Sequence, residues 1–302
     1  MSAAVLGQQP LQTRFVLANV VDHAGSPVLG LGSADFLIQE DGERREALEV
    51  RPANYPIAIM LDTSATARQN FMQMRKAVEA FAGRFPDRVL SLTTFGDIVL
   101  RVVRFDNEKQ GAVARAAEGL FALPESDSHV MDGLIQVARD LEKLNTPFNQ
   151  IVVVSAGGID RSGRSPIDVL RPVLTARARV DVFETGSPMG REYRAPMVRR
   201  RLEGQLPPRP DANSPSRAKE AAFDLQNLMR SITARTGGRY ELVFSGGGFD
   251  GALQALASEL LAEVVVEYIV PEGAQPPKDL KIGVDIPGAT VHGLGLAAPF
   301  AQ

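Results

Sequence analysis

Hydrophobic and polar positions follow two different patterns along the chain. Before residue 54 and after residue 263, short apolar runs are separated by turn residues, with no helical period between them. This pattern is typical of antiparallel strands joined by turns. Between residues 55 and 262, apolar runs alternate with segments whose apolar residues recur every three or four positions. That alternation predicts a doubly wound, mostly parallel α/β sheet with helices on both faces.

The order of these patterns predicts the domain organisation. The two flanking β segments are each too small to bury a core alone. We therefore predict that residues 14–54 pair with residues 263–302 in a small antiparallel β unit, into which the α/β domain of residues 55–262 is inserted. Residues 1–13 have no period and are predicted to form a mobile tail. Residues 187–216 are rich in proline and arginine and are predicted to be a long loop or insertion.

One apolar run, Ile57–Leu61, is followed at once by an acidic residue and three hydroxyl residues. A run of this length is typical of a strand buried on both faces of a parallel sheet. Ligand sites in open α/β sheets lie beyond the carboxyl ends of such strands, so Asp62, Ser64 and Thr66 are candidate site residues. Their oxygen atoms suit a hard cation such as Mg²⁺. The same residue types are favoured at helix N-caps, and this stretch alone leaves both interpretations open.

Composition and charge exclude several functions. The chain has no cysteine, which excludes disulfides, thiolate metal sites and cysteine nucleophiles. Its net charge of -3 argues against nucleic acid as a partner. No apolar run approaches the roughly 20 residues of a membrane span, and Met1–Pro10 shows no signal-peptide pattern. The three histidines are far apart in the sequence and are interpreted as surface or satisfied residues: His23, His129 and His292.

Several segments resemble von Willebrand factor type A (VWA) domains. Asp62-Thr-Ser-Ala-Thr66 resembles the Asp-x-Ser-x-Ser motif of that family. Ser128–Leu134 resembles its Thr-x-x-x-Asp-x-Leu segment, and Ile151–Gly158 resembles the strand that ends in Asp-Gly. Flanking segments such as Ala34–Gly42 and Val264–Pro271 resemble bacterial VWA-related proteins that are widespread in acidobacteria. The resemblance covers nearly the whole chain except the predicted tail and the Arg/Pro-rich segment.

The resemblance implies a metal-ion-dependent adhesion site for Mg²⁺ or Mn²⁺. Carried over by position, its oxygen ligands would be Asp62, Ser64, Thr66 and Ser128. Ala156 stands where the family has a second aspartate, so a degenerate site of reduced affinity is expected, because hard cations favour carboxylates. Three nearby carboxylates are candidates to replace the missing charge: Asp127, Asp132 and Asp160.

The resemblance also implies a function in protein recognition or cell adhesion rather than catalysis. In such a site, an acidic residue of the protein partner completes the metal shell. If no metal binds, two alternatives are open: the same loops bind a partner through hydroxyl and backbone N–H groups, or the chain is a structural scaffold. Family members are generally exported, so the resemblance implies a secreted or periplasmic protein, while the lack of a visible signal peptide leaves a cytoplasmic location open.

Two enzymatic interpretations compete with recognition. Gly246–Gly251 contains the pattern G-x-G-x-x-G, and Glu267 follows at about the spacing of a ribose-binding acid. This pattern lies late in the α/β region, and Glu267 falls within a predicted strand, so nucleotide binding is the weaker hypothesis. Ser155 precedes a glycine pair but lacks the G-x-S-x-G pattern of a hydrolase nucleophile. The sequence therefore predicts a non-enzymatic protein.

Overall fold

The structure, a computed structural model, describes residues 11–106, 109–185, 215–245 and 247–297. The chain divides into two compact units, one formed by Met1–Asn54 with Leu256–Gln302 and the other by Tyr55–Ala255. The second boundary thus lies at residue 255 rather than at the predicted residue 262. Most of the Arg/Pro-rich segment 187–216 lies outside the described residues, as does the predicted tail up to residue 10.

The strands are β1 (Leu11–Val21), β2 (Phe36–Glu40), β3 (Glu43–Arg45), β4 (Ala47–Pro52), β5 (Ile57–Asp62), β6 (Leu90–Phe95), β7 (Val99–Val103), β8 (Asn149–Ser155), β9 (Ala178–Thr185), β10 (Tyr240–Val243), β11 (Glu263–Pro271), β12 (Leu280–Val284) and β13 (Thr290–Ala297). The α-helices are α1 (Phe71–Gly83), α2 (Ala112–Glu118), α3 (Val130–Glu142), α4 (Pro166–Thr175), α5 (Pro215–Thr236) and α6 (Gly248–Ala262). A 3-10 helix, Ala65–Gln69, precedes α1. Among the described residues, none of these helices is long and apolar enough to cross a membrane.

The smaller unit is built from the two ends of the chain. A four-stranded sheet has the order β13-β1-β11-β4, and a three-stranded sheet has the order β12-β2-β3. β1 pairs antiparallel with both β11 and β13. It starts at Leu11, opposite Pro271, so the prediction of a tail through residue 13 is wrong for its last three residues. Pairing with a distant strand orders these residues, and local sequence carries no sign of that pairing.

A buried ion pair lies in the smaller unit. Arg14 on β1 pairs with Glu40 on β2, and both residues are almost fully buried. Nη2 of Arg14 also donates to the carbonyl oxygens of Ala274 at 2.6 Å and Gln275 at 2.7 Å. The hydroxyl of Tyr268 on β11 donates to Glu40 at 3.2 Å. These polar groups satisfy one another, which offsets the cost of removing two charges from water.

The larger unit contains one six-stranded sheet in the order β10-β9-β8-β5-β6-β7. Neighbouring strands run parallel except at the edge, where β7 is antiparallel to β6. Every residue of β5 is buried, since both faces of the sheet are covered. Ala58 and Met60 pack in a core with α3, α4 and α5, while Ile57, Ile59 and Leu61 alternate with them along the strand and are fully buried as well. The predicted fold class is confirmed.

Candidate functional site

The candidate site lies at one edge of the six-stranded sheet. Asp62 is the last residue of β5 and Ser155 the last residue of β8, its parallel neighbour. Parallel strands end at the same edge, so the loops that follow them lie together. We call residues 62–66, 123–128 and 155–160 the loop face. The sequence predicted the location of this face because a buried apolar run ends there in a charged residue.

The Asp62 carboxylate holds two loops together. Its Oδ1 accepts a hydrogen bond from the Ser64 amide at 2.8 Å, and its Oδ2 accepts one from the Ala156 amide at 3.0 Å. The Ser155 hydroxyl donates to the same Oδ2 at a longer 3.4 Å. Burial raises the pKa of Asp62, and hydrogen bonds from Ser64, Ala156 and Ser155 oppose that rise. The carboxylate therefore acts as a shared acceptor between the loops after β5 and β8.

Two hydroxyls extend this network towards solvent. The oxygens of Ser64 and Thr66 lie 2.7 Å apart, and the Thr66 hydroxyl donates to the Gly157 carbonyl oxygen at 3.2 Å. Ser64 is buried, whereas Thr66 is exposed. Gly158 has φ +107°, and a Cβ there would lie 3.1 Å from Cγ2 of Thr66. Glycine at this position thus permits both the backbone conformation and the close approach of Thr66.

Ser128 belongs to the third loop of the face. The neighbouring Ser126 carbonyl accepts from the Ala65 amide at 2.9 Å, which joins this loop to the one after β5. The Ser128 carbonyl accepts from the Arg161 amide at 2.7 Å, which joins it to the loop after β8. Ser128 is only 5% exposed, and its hydroxyl makes no hydrogen bond within the described residues. Asp62, Ser64 and Thr66 are thus linked by hydrogen bonds that involve their side chains. Ser128 is joined to the same face only by backbone hydrogen bonds of its loop.

The three carboxylates expected to compensate for Ala156 have other partners. Asp160 accepts from the Met131 amide at the start of α3 at 3.3 Å and from the Ser162 hydroxyl at 2.9 Å. Burial raises the pKa of Asp160, with these hydrogen bonds opposing the rise. Asp132 accepts from Arg164 at 2.6 Å, and Asp127 lies 3.7 Å from Arg161. Each carboxylate therefore stabilises a helix start or a loop near the face.

Glu184 is a site residue that the sequence reasoning missed. It lies near the end of β9, opposite Ser155, and is 2% exposed. Gln226 on α5 donates to its Oε1 at 2.9 Å, and a Cβ added to Gly157 would lie 2.9 Å from that same oxygen. Burial raises the pKa of Glu184, and the charge of Asp62 adds to the rise. A lone acid at the end of a buried parallel strand is the signal that identified Asp62, and it could have identified Glu184.

The predicted ligands supply too few carboxylate oxygens for a tight Mg²⁺ or Mn²⁺ site. Within the described ranges, no three His, Cys, Asp or Glu side chains are grouped to hold a metal ion. Among the four predicted ligands there is one carboxylate, and both of its oxygens already accept hydrogen bonds. Ala156 supplies no second carboxylate, and its backbone N–H is one of the donors to Asp62. The residues therefore do not fit a tight divalent site, and their assignment as ligands stays a prediction.

The dinucleotide hypothesis gains no support from the position of its residues. Glu267 lies in the middle of β11, in the antiparallel sheet of the smaller unit, where it pairs with Phe15 and Glu49. A ribose-binding acid would have to follow a strand of the parallel sheet. Gly246 lies outside the described residues.

Comparison with known proteins identifies the fold. No family profile and no curated protein matches the sequence. A von Willebrand factor type A protein from Catenulispora acidiphila matches with a TM-score of 0.51 and 11% identity, over 97% of this chain and 74% of that one. Proximal thread matrix protein 1 from the mussel byssus matches with a TM-score of 0.52 and 12% identity, over 78% of this chain and 51% of that one. A structure of the mussel protein with a zinc-occupied MIDAS motif matches with a TM-score of 0.47 and 10% identity, over 70% and 48% of the two chains.

These likenesses show the fold alone. The chain has the fold of a von Willebrand factor type A domain, and the resemblance predicted from its motifs is confirmed at that level. The chain spans about three quarters of the bacterial protein and about half of the mussel protein.

Proposed function

We propose that this chain is a VWA-type protein-recognition module that catalyses no reaction and binds a protein partner through its loop face. The fold supports a VWA module, and the observation that carries the recognition role is the hydrogen-bonded cluster around Asp62. That cluster fixes the loops before any partner arrives, so little conformational entropy is lost on binding. Recognition by a rigid polar face requires no reacting group.

The loop face offers both polar and apolar contacts to a partner. Thr66 presents a hydroxyl, and Asp127 presents a carboxylate that is largely exposed. A few residues before Asp127, Leu123 on the loop face is 39% exposed, and Phe121, just before the loop face, is 69% exposed. The Leu123 amide donates to the Thr63 carbonyl at 2.9 Å, which joins Leu123 to the loop after β5. Exposed aromatic side chains next to ordered polar groups are typical of interface anchors.

Metal ions play at most a minor part in this proposal. The Asp62 carboxylate links two loops, and the side chain of Ala156 adds no second acid. Partner binding is therefore expected to survive removal of divalent cations. An extracytoplasmic location is part of the proposal and rests on the resemblance to exported VWA proteins.

Site-specific photo-crosslinking tests the proposal. A benzophenone amino acid is placed at Thr66 on the loop face and, as a matched control, at Thr175, an exposed threonine at the end of α4. In cells of the source organism, we expect a discrete crosslinked protein from position 66 and none from position 175. The same crosslink should form in the presence of EDTA. Equal crosslinking from both positions, or none from position 66, would refute recognition through the loop face.

A further inference from the structure

A second candidate site lies away from the loop face, between β6, β7 and the end of α3. A cavity of about 360 Å³ opens there. Its size falls within the range of pockets that take small molecules, roughly 300–1,000 Å³. Its apolar lining comes from Val103, Phe105, Val137 and Leu144. None of its lining residues belongs to the loop face, so a ligand here would be distinct from the proposed protein partner.

Two hydroxyls line this cavity and have no hydrogen-bond partner within the described residues. Ser91 is 4% exposed and Thr93 is 3% exposed, both on β6. Neither hydroxyl makes a hydrogen bond to any residue in the part of the chain that the structure describes. Both hydroxyl oxygens keep some solvent-accessible surface, so each can hydrogen-bond to water or to a ligand in the cavity. Because the two residues lie two positions apart on a strand, their side chains point to the same side of the sheet.

The strand pairing is irregular beside these hydroxyls. Leu92 pairs with Val103, whereas Thr93 pairs with Arg101, so Val102 is an extra residue in β7. Such β-bulges bend an edge strand and are over-represented next to functional sites. The bulge lies beside Thr93, which lines the cavity.

The charges around the cavity favour an anion. Arg101, Arg104 and Lys143 line it with two carboxylates, Asp106 and Asp140, which leaves one formal positive charge. Asp140 is already bound by Arg101 and by Lys143, the latter at 3.0 Å. Although burial opposes it, these two cations hold the pKa of Asp140 below its ordinary value, so it stays ionised.

Arg104 is free to bind a ligand. It makes no ion pair within the described ranges and is exposed at the rim of the cavity. Lys143 is the C-cap residue of α3, where its charge offsets the negative end of the helix. Within the described residues, Arg104 is therefore the lining cation that neither Asp140 nor the end of α3 engages.

We propose that this cavity binds a small organic monoanion, whose carboxylate accepts hydrogen bonds from Ser91 and Thr93 and whose short apolar body packs against Val103 and Val137. The carboxylate would accept a hydrogen bond from each hydroxyl in place of water. Hydrogen bonds to a charged acceptor are stronger than those between neutral groups. The positive rim favours entry of an anion over a neutral molecule of the same shape.

Benzoate is a suitable probe, and benzamide is its neutral counterpart with the same ring. Titration followed by amide NMR should show saturable shifts at residues 91, 93, 103 and 137, with a Kd of about 1 mM or tighter for a ligand of this size. Benzamide should bind about tenfold more weakly, since it lacks the charge. Absence of saturable shifts, or shifts confined to other parts of the chain, would overturn the proposal.

Variants test the roles of individual groups. Thr93→Val keeps the shape of the side chain and removes the hydroxyl, and Ser91→Ala does the same on a smaller scale. Each should weaken benzoate binding about tenfold. Arg104→Gln should also weaken it, whereas Arg171→Gln, an exposed arginine on α4 that does not line the cavity, should leave it unchanged. Unchanged binding in both hydroxyl variants would rule out the proposed carboxylate contact. The titration of the unaltered protein remains decisive if a variant fails to fold.

Discussion

Asp62→Asn is the substitution that tests whether the carboxylate holds the loop face together. Asp62 accepts amide hydrogen bonds on both oxygens, from Ser64 at 2.8 Å and from Ala156 at 3.0 Å. Asparagine keeps one acceptor oxygen and replaces the other with an NH₂ group, which only donates. One of the two buried amides must then face another donor and lose its partner.

The expected cost follows from that lost partner. Leaving a buried amide unsatisfied destabilises the folded protein by about 1–3 kcal/mol. Removing the buried charge of Asp62 stabilises it and offsets part of that loss. We expect Asp62→Asn to lower the free energy of unfolding by about 2 kcal/mol at neutral pH. The exposed Asp87→Asn, in the same unit, should change it by less than about 0.5 kcal/mol.

Two measurements check this reasoning. Urea denaturation followed by circular dichroism gives the change in unfolding free energy. Native-state amide exchange gives a local readout, because the amides of Ser64 and Ala156 should exchange faster in Asp62→Asn than in the unaltered protein. If Asp62→Asn is as stable as the unaltered protein and these amides keep their protection from exchange, then the Asp62 carboxylate does not hold the two loops together.

The pH dependence of Asp62 has a defined sign. Its pKa in the folded protein is raised above the ordinary 3.8, chiefly by burial. The folded state then holds the proton more tightly than the unfolded chain does. The stability contributed by this group is greatest below pH 3.8 and declines as pH rises through the raised pKa. The stability advantage of the unaltered protein over Asp62→Asn should therefore shrink with rising pH, and an advantage that grows would contradict the raised pKa.

Three further predictions concern other parts of the molecule. Ala156→Asp adds the second carboxylate, so it should lower the Tm in metal-free buffer. Millimolar Mg²⁺ should raise the Tm of this variant but not that of the unaltered protein. A Mg²⁺-dependent rise of the Tm in the unaltered protein would show that its present residues suffice to bind the ion. Arg14→Met should cost about 3–5 kcal/mol in urea denaturation, because it leaves Glu40 as a buried charge without its main partner; a smaller loss when Glu40→Met is added would confirm the pair as the cause. Gly158→Ala should cost about 1–3 kcal/mol, because φ +107° is strained for alanine and its Cβ would press on Thr66; an unchanged Tm would show that the loop shifts freely.

The sequence predicted the fold class, and the candidate site stays a prediction. Alternation of buried runs and amphipathic helices is a local property, so it indicated the parallel sheet of the larger unit before any contact was known. Asp62 was identified because a charge directly follows a strand whose residues are all buried. The same argument applies to Glu184, which was missed because no family motif drew attention to it.

Other features depend on contacts between residues that are far apart in the chain. The start of β1 at Leu11 depends on pairing with Pro271, which no local pattern near residue 11 encodes. Asp160 was expected to be able to replace the missing charge, yet it binds the start of α3 instead. Several donors compete for each carboxylate, and only the folded geometry decides which of them is nearest.

The sequence by itself indicated a buried strand from residue 57 that is followed by an acid and hydroxyls, because this pattern is local to neighbouring residues. It also determined that Ala156 supplies no second carboxylate. The tertiary structure alone decided what Asp62 does in that setting. Its hydrogen bond to the Ala156 amide joins residues 94 positions apart, and Glu184 approaches the same turn from a third strand. Such contacts depend on strand order and loop conformation. The hydrogen bonds by which Asp62 links the two loops therefore follow from the tertiary structure and not from the local sequence.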